Sequence, residues 1–190
     1  MSRSEAVSIR NDMAARARHA SGPGCTQPGS LQRLLLAADG TLTEMLEALY
    51  QEELHVVLVK QHIAPVEQRQ GFDLLYLSPV EPVLTRTVVI QGTDSGNAYV
   101  YAESCIALNR LDATVRRGLL ETGTGLGKLW KRNRVETFKE VLEAGLEPAR
   151  FLSRYFDVHP EHPLLLRRCR VSSNRKPVAL LTEYVRCPTD

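Results

Sequence analysis

Long apolar runs are missing from this 190-residue chain, and none approaches the 18 residues a membrane-spanning helix needs. Charge of one sign is missing too. Lys+Arg number 24 against Asp+Glu 22, a net charge of +2, whereas nucleic-acid-binding domains usually carry a marked basic excess. A small anionic ligand needs only a few well-placed cations and stays compatible with this balance. Cysteines are few: Cys25, Cys105, Cys169 and Cys187 have no CxxC spacing and no clustering with histidine. That pattern speaks against a zinc site, and no metal is expected. Met1–Arg18 carries Glu5 and Asp12 and has no apolar core segment, so it does not read as a secretory signal. The thiols therefore read as reduced and the protein as cytoplasmic. No internal repeat is visible.

What is present suits one soluble domain. Hydrophobic residues make up 43% and charged residues 24%, ordinary values for a globular chain. Residues 1–30 read as a flexible tail, rich in Gly, Pro and Ser over His19–Ser30, with a short helix possible at Ala6–Ala17. Residues 31–190 read as the domain. A short helix from Leu31 breaks at Asp39-Gly40. A second helix starts at Thr41, where Thr41 and Glu44 have capping-box spacing, and aligns Leu42, Met45, Leu46 and Leu49. Leu54–Ile63 reads as a strand, then Pro65–Gly71 as a break. Val83–Gln91 and Ala98–Leu108 read as a hairpin around Gly92–Asn97. Asp112 is placed to cap a helix over Ala113–Glu121, and Gly123–Gly127 is a loop. Val135–Ala144 has helical spacing at Val135, Phe138, Val141 and Leu142, with Gly145 placed to end it. Pro148–Asp157 reads as a short helix. Leu164–Val171 and Val178–Arg186 form a last hairpin. Hairpins separated from helical runs indicate an α+β fold with an antiparallel sheet.

Strand alternation singles out two charges. Leu84, Arg86, Val88 and Ile90 share one face, and Arg86 is its only polar member. Ala179, Leu181, Glu183 and Val185 share another, and Glu183 is its only charge. A lone ion facing a core needs a partner. Either the two pair with each other, or they line an internal ligand pocket. In a pocket, Arg86 offers a forked cation for a carboxylate and Glu183 an acid or acceptor in a dry site.

Other features read as structural. Glu103 shares a face with Tyr99, Tyr101 and Cys105, taken as the solvated side of the sheet. Gly123–Trp130 lacks phosphate-loop spacing and reads as a loop entering a helix. His159 and His162 are separated by Pro160, which breaks the helix that would align them as ligands. Arg116 and Arg117 read as solvated. Arg167, Arg168 and Arg170 read as a solvated basic strand edge, with a second anion contact as the alternative.

Several segments together resemble the chorismate lyase family. They are LLLAADGTLTEMLEAL (34–49), VLTRTVVI (83–90), YAESCIALNRL (101–111), GLGKLW (125–130), RVETFKEVLEAG (134–145) and LLRRCRV with KPVALLTEY (165–184). They lie in family order, closest to the branch that supplies 4-hydroxybenzoate for phenolic lipids or specialised metabolites. The resemblance implies one α+β domain with a six-stranded antiparallel sheet around a buried ligand cavity, a fold shared with sensing domains of some regulators. Carried over by position, it implies ligand contacts at Leu42, Arg86, Leu126, Thr182 and Glu183, with Arg86 and Glu183 catalytic. This chain departs from the ubiquinone-type enzymes, which carry a basic residue near Glu103. The enolpyruvyl carboxylate is therefore left unassigned, with Arg134, Lys128 and Arg168 as candidates.

The implied reaction converts chorismate to 4-hydroxybenzoate and pyruvate, an elimination driven by ring aromatisation that requires no cofactor. Arg86, with backbone N–H groups near Leu126, would clamp the ring carboxylate, and Glu183 would face the C4 oxygen. The competing readings are a non-catalytic binding module of the same fold and a lyase giving another hydroxybenzoate isomer.

Overall fold

The computed structural model describes residues 28–38, 40–65, 72–78, 81–121 and 123–187. The helix expected at Ala6–Ala17 lies outside them, as does most of the expected tail and of the 65–71 break. Helix α1 spans Ser30–Ala37 and α2 Leu42–Tyr50. Strand β1 spans Leu54–Pro65, β2 Pro82–Gly92 and β3 Ala98–Ala107. Helices α3 (Ala113–Glu121) and α4 (Leu126–Arg132) follow. Then come β4 (Phe138–Pro148), the short α5 (Ser153–Phe156), β5 (Pro163–Ser173) and β6 (Lys176–Arg186). The strands form one antiparallel sheet in the order β1-β2-β3-β6-β5-β4, so the architecture is α+β as expected. No helix among the described residues is long and apolar enough to cross a membrane.

The sheet has two unequal faces. One carries two apolar clusters. Leu35, Leu42 and Leu46 of α1 and α2 pack on Ile90, Val100, Leu165 and Val185. Val115, Leu119, Leu129 and Trp130 of α3 and α4 pack on Leu84, Ile106, Val171 and Ala179. The opposite face carries a smaller cluster, in which Leu152 and Phe156 cover Val89, Tyr101 and Leu164. That face is therefore not simply solvated. Tyr101 is buried there and its hydroxyl donates to Glu103 Oε1 at 3.0 Å.

Most strand and helix expectations agree with the structure to within a few residues, and two do not. Residues 138–148 form edge strand β4, not the helix expected over Val135–Ala144. The strand bulges between Val141 and Glu143. The bulge adds a residue and breaks the two-residue alternation, leaving a spacing that imitates a helix. Cross-strand pairs secure the strand: Arg170 donates to Glu140, and Arg168 donates to Glu143 at 2.8 Å. Pairing with β5 thus overrides local helix preference. The second difference is the start of α2. Thr41 occupies the N-cap but makes no side-chain cap bond. Glu44 instead accepts from Lys131. Asp112 does cap α3, accepting from the Thr114 N–H at 2.8 Å.

Candidate active site

Where the two apolar clusters of the helix-covered face part, they leave a cavity of about 330 Å³, within the roughly 300–1,000 Å³ of small-molecule sites. The sheet supplies its floor through Val56, Arg86, Val88, Ile90, Ala102, Ser104, Ile106, Leu181 and Glu183. Its roof comes from Gly40–Thr43 ahead of and within α2 and from Gly125–Lys128 at the start of α4. The roof packs closely at two glycines. A Cβ on Gly125 would lie 3.2 Å from the Val56 side chain, and one on Gly127 3.1 Å from the Thr41 side chain, so any larger residue there would require those side chains to shift by a few tenths of an ångström.

Arg86 is 4% exposed and belongs to this floor. Its Nη1 donates to the Thr124 carbonyl at 2.9 Å and its Nη2 to the Gly123 carbonyl at 3.1 Å. Its buried Nε has no hydrogen-bond partner among the described residues. A guanidinium carries five N–H donors, so donors remain for an anion after the loop carbonyls are served. Burial lowers its pKa from the ordinary value, because charge is harder to hold away from water. Arginine nonetheless stays protonated.

Glu183 lines the same cavity but does not pair with Arg86. Its partner is Arg167, whose Nε donates to Glu183 Oε2 at 2.9 Å. Arg167 Nη2 lies 2.8 Å from the same oxygen, though its N–H bonds are not aimed for a hydrogen bond. This decides between the two alternatives for the inward charges and overturns the reading of Arg167. Arg86 and Glu183 do not form a mutual ion pair, and Arg167 is no solvated edge residue, being 1% exposed. The signal for Arg167 was in the sequence. Leu165, Arg167, Cys169 and Val171 make an apolar row with one charge, the pattern that singled out Arg86 and Glu183. The adjacent arginines masked it.

The other expected contacts divide. Leu42 and Leu126 line the cavity, the first 4% exposed. Thr182 does not. It alternates with Glu183 along β6, and on the far face its hydroxyl accepts from Arg168 Nε at 3.5 Å. Arg168 is on that far face as well, paired with Glu143, and Arg134 is not among the lining residues. Of the cations proposed for a second carboxylate, Lys128 alone reaches the cavity, donating to Glu47 and to the Leu54 carbonyl at 3.1 Å each. The sequence reading missed Lys131 and Lys139, which also line it. Lys128 and Lys131 are already paired with Glu47 and Glu44, so among the described residues the cation at this cavity with an unpartnered buried donor is Arg86. Among the described residues no cluster of His, Cys, Asp and Glu is arranged to hold a metal ion.

One α+β domain enclosing an apolar cavity with inward charges is the build of a small-molecule-binding domain. Solved structures share the fold. The effector domain of PhnF from Mycobacterium smegmatis matches with a TM-score of 0.58 at 16% identity, over 84% of this chain and 91% of that one. The C-terminal domain of the histidine utilization repressor from Pseudomonas syringae matches with a TM-score of 0.52 at 16% identity, over 73% and 96%. Sequence relatives are closer. A chorismate pyruvate-lyase of Mycobacterium tuberculosis is 33% identical over 154 residues, 80% of this chain and 77% of the relative. One of Mycobacterium leprae is 28% identical over 153 residues, 80% and 72%. The model of the chorismate pyruvate-lyase family described as Rv2949c-like matches residues 36–187, and the chain belongs to that family.

Proposed function

We propose that this protein is a chorismate lyase that releases 4-hydroxybenzoate and pyruvate, with Arg86 and Glu183 as its catalytic pair. The observation that carries the reading is the placement of the two charges. Arg86 on β2 and Glu183 on β6 face one cavity with β3 between them. A ring carrying a carboxylate at C1 and an oxygen at C4 needs a polar partner for each, and the two charges flank β3 diagonally, Arg86 opposite Ser104 and Glu183 opposite Ala102.

The chemistry asks little of the protein. The ether bond at ring C3 breaks, and its electron pair leaves with the enolpyruvyl oxygen. The C4 hydrogen is lost as a proton, and the enolpyruvyl group takes up a proton to become pyruvate. Ring aromatisation drives the step, so neither redox nor Lewis-acid chemistry is required. The protein's part is orientation and a dry, polarised site. Arg86 binds the ring carboxylate through donors left over from Gly123 and Thr124. Glu183 accepts from the C4 hydroxyl, which becomes the product phenol. Leu42, Val88, Ile90, Ala102 and Leu126 exclude water from the ring.

The test is incubation of the purified protein with chorismate in EDTA-containing buffer, with both products followed by chromatography and the aromatic product identified by NMR. Equimolar pyruvate and 4-hydroxybenzoate are expected. Another hydroxybenzoate isomer would overturn the product assignment. Chorismate bound without turnover would overturn the enzyme reading in favour of a binding module, the alternative suggested by the fold's likeness to regulator effector domains.

A further inference from the structure

We propose that Arg167 is a positioning residue for Glu183, committing one carboxylate oxygen to the fold and leaving the other for the ligand. The inference deepens the proposed lyase reading and rests on Glu183 acting at the C4 end of the substrate.

Arg167 is among the most deeply buried large side chains, at 1% exposure. Its Nε and Nη2 both approach Glu183 Oε2, at 2.9 and 2.8 Å. Its Nη1 donates to two backbone carbonyls, Leu35 at 3.0 Å and Ala38 at 2.7 Å. Those carbonyls close the C-terminal end of α1, where the helix leaves acceptors unpaired and its dipole is negative. One guanidinium therefore joins the end of α1 to the carboxylate on β6. The segment leaving α1 goes on to Gly40–Thr43, part of the cavity roof.

The oxygen count gives the function. Oε2 of Glu183 is occupied by Arg167. Oε1 accepts no hydrogen bond among the described residues, and Glu183 faces the cavity. The carboxylate thus has one oxygen fixed and one to offer, and its rotation is blocked by two nitrogens on the fixed side. Without Arg167, the carboxylate would be free to turn and would face the negative end of α1 uncompensated. A ligand held at its other end by Arg86 would still bind, but its C4 group would meet a carboxylate of indefinite aim. Arg167 should therefore act on the chemical step more than on binding.

The experiment is a double-mutant cycle of Arg167→Met and Glu183→Gln, with kcat and KM for chorismate measured by pyruvate release and folding checked by circular dichroism. Arg167→Met is expected to lower kcat about tenfold or more while KM moves less than about threefold. The double variant is expected to be no slower than Glu183→Gln alone, because Arg167 has nothing to position once the carboxylate is gone. Should Arg167→Met not fold, Arg167→Lys completes the cycle. Lysine keeps the charge but cannot hold both Glu183 and the α1 carbonyls, so partial activity is expected. A folded Arg167 variant with wild-type kcat, or a double variant whose loss is the product of the single losses, would overturn the positioning role while leaving the lyase reading intact. Wild-type kcat in Glu183→Gln would overturn the assignment of Glu183 and the positioning role together.

Discussion

Arg86 and Glu183 stand on one face of the sheet, one strand apart, and each is held by a partner of its own. Arg86 is tied forward to the carbonyls of Gly123 and Thr124, ahead of α4. Glu183 is tied sideways to Arg167 on the neighbouring strand. Opposite charges in one cavity that do not neutralise each other remain available to a ligand that carries complementary groups at both ends.

Arg86 carries the sharpest expectation. Arg86→Ala removes the guanidinium and its bonds to the Gly123 and Thr124 carbonyls. A charge-assisted hydrogen bond contributes about 1.5–3 kcal/mol, so kcat/KM for chorismate should fall about tenfold to more than a hundredfold. Arg86→Lys should recover little, since an ammonium cannot serve Gly123, Thr124 and a carboxylate in one plane. Steady-state kinetics on folded variants check this, and wild-type values would remove Arg86 from the site.

Ala102 tests the cavity itself. It lies in register between Val88 and Glu183 on the cavity floor. Ala102→Leu should fill space meant for a ring. The melting temperature should hold or rise, because filling a void commonly adds about 0.5–2 kcal/mol. Calorimetric affinity for 4-hydroxybenzoate should weaken at least about tenfold. Unchanged affinity would place the ligand elsewhere.

Glu52 should set an acid-sensitive part of the stability. Its carboxylate accepts from the N–H groups of Ser95 and Asp94, from the Ser95 hydroxyl and from the Tyr99 hydroxyl. Chiefly through the Ser95 N–H, these bonds hold its pKa below the ordinary 4.5. A depressed carboxylate stabilises the fold above its unfolded-state pKa, and the contribution disappears as pH falls through the folded-state value. Glu52→Gln should therefore melt lower than wild type at neutral pH, and the two should converge in acid. Melting curves across pH 2–7, on the order of one reading per unit, check this. A gap that persists at the acid end would mean the carboxylate's charge is not what the turn uses.

The thiols should be slow. Cys169 is fully buried, and burial pushes Cys105 up to about 12 and Cys187 up to about 11. Only the thiolate reacts quickly. In a Cys25→Ser background, a disulfide reagent at about pH 8 should label the native protein far more slowly than the denatured one. Rapid labelling of the native form would contradict this packing.

Much of this was legible one strand at a time. Arg86 and Glu183 stood out because a strand sends alternate residues to opposite faces, and a single charge in an apolar row has nowhere dry to go without a partner. Arg167 satisfies the same rule but sits in a run with Arg168 and Arg170, and a run of like charges suggests solvent. Strand β4 failed for the opposite reason: its bulge between Val141 and Glu143 erased the alternation.

By itself, the sequence determined the inward charges, the hairpins and the α+β class, because alternation and turn chemistry act between neighbours in the chain. Only the tertiary structure decided the partners. That Glu183 meets Arg167 and not Arg86, and that Lys131 and Lys139 reach the cavity, depend on strand order, register and how the helices pack over the sheet. Those join residues far apart in the chain through backbone hydrogen bonding and burial, and no local pattern carries them.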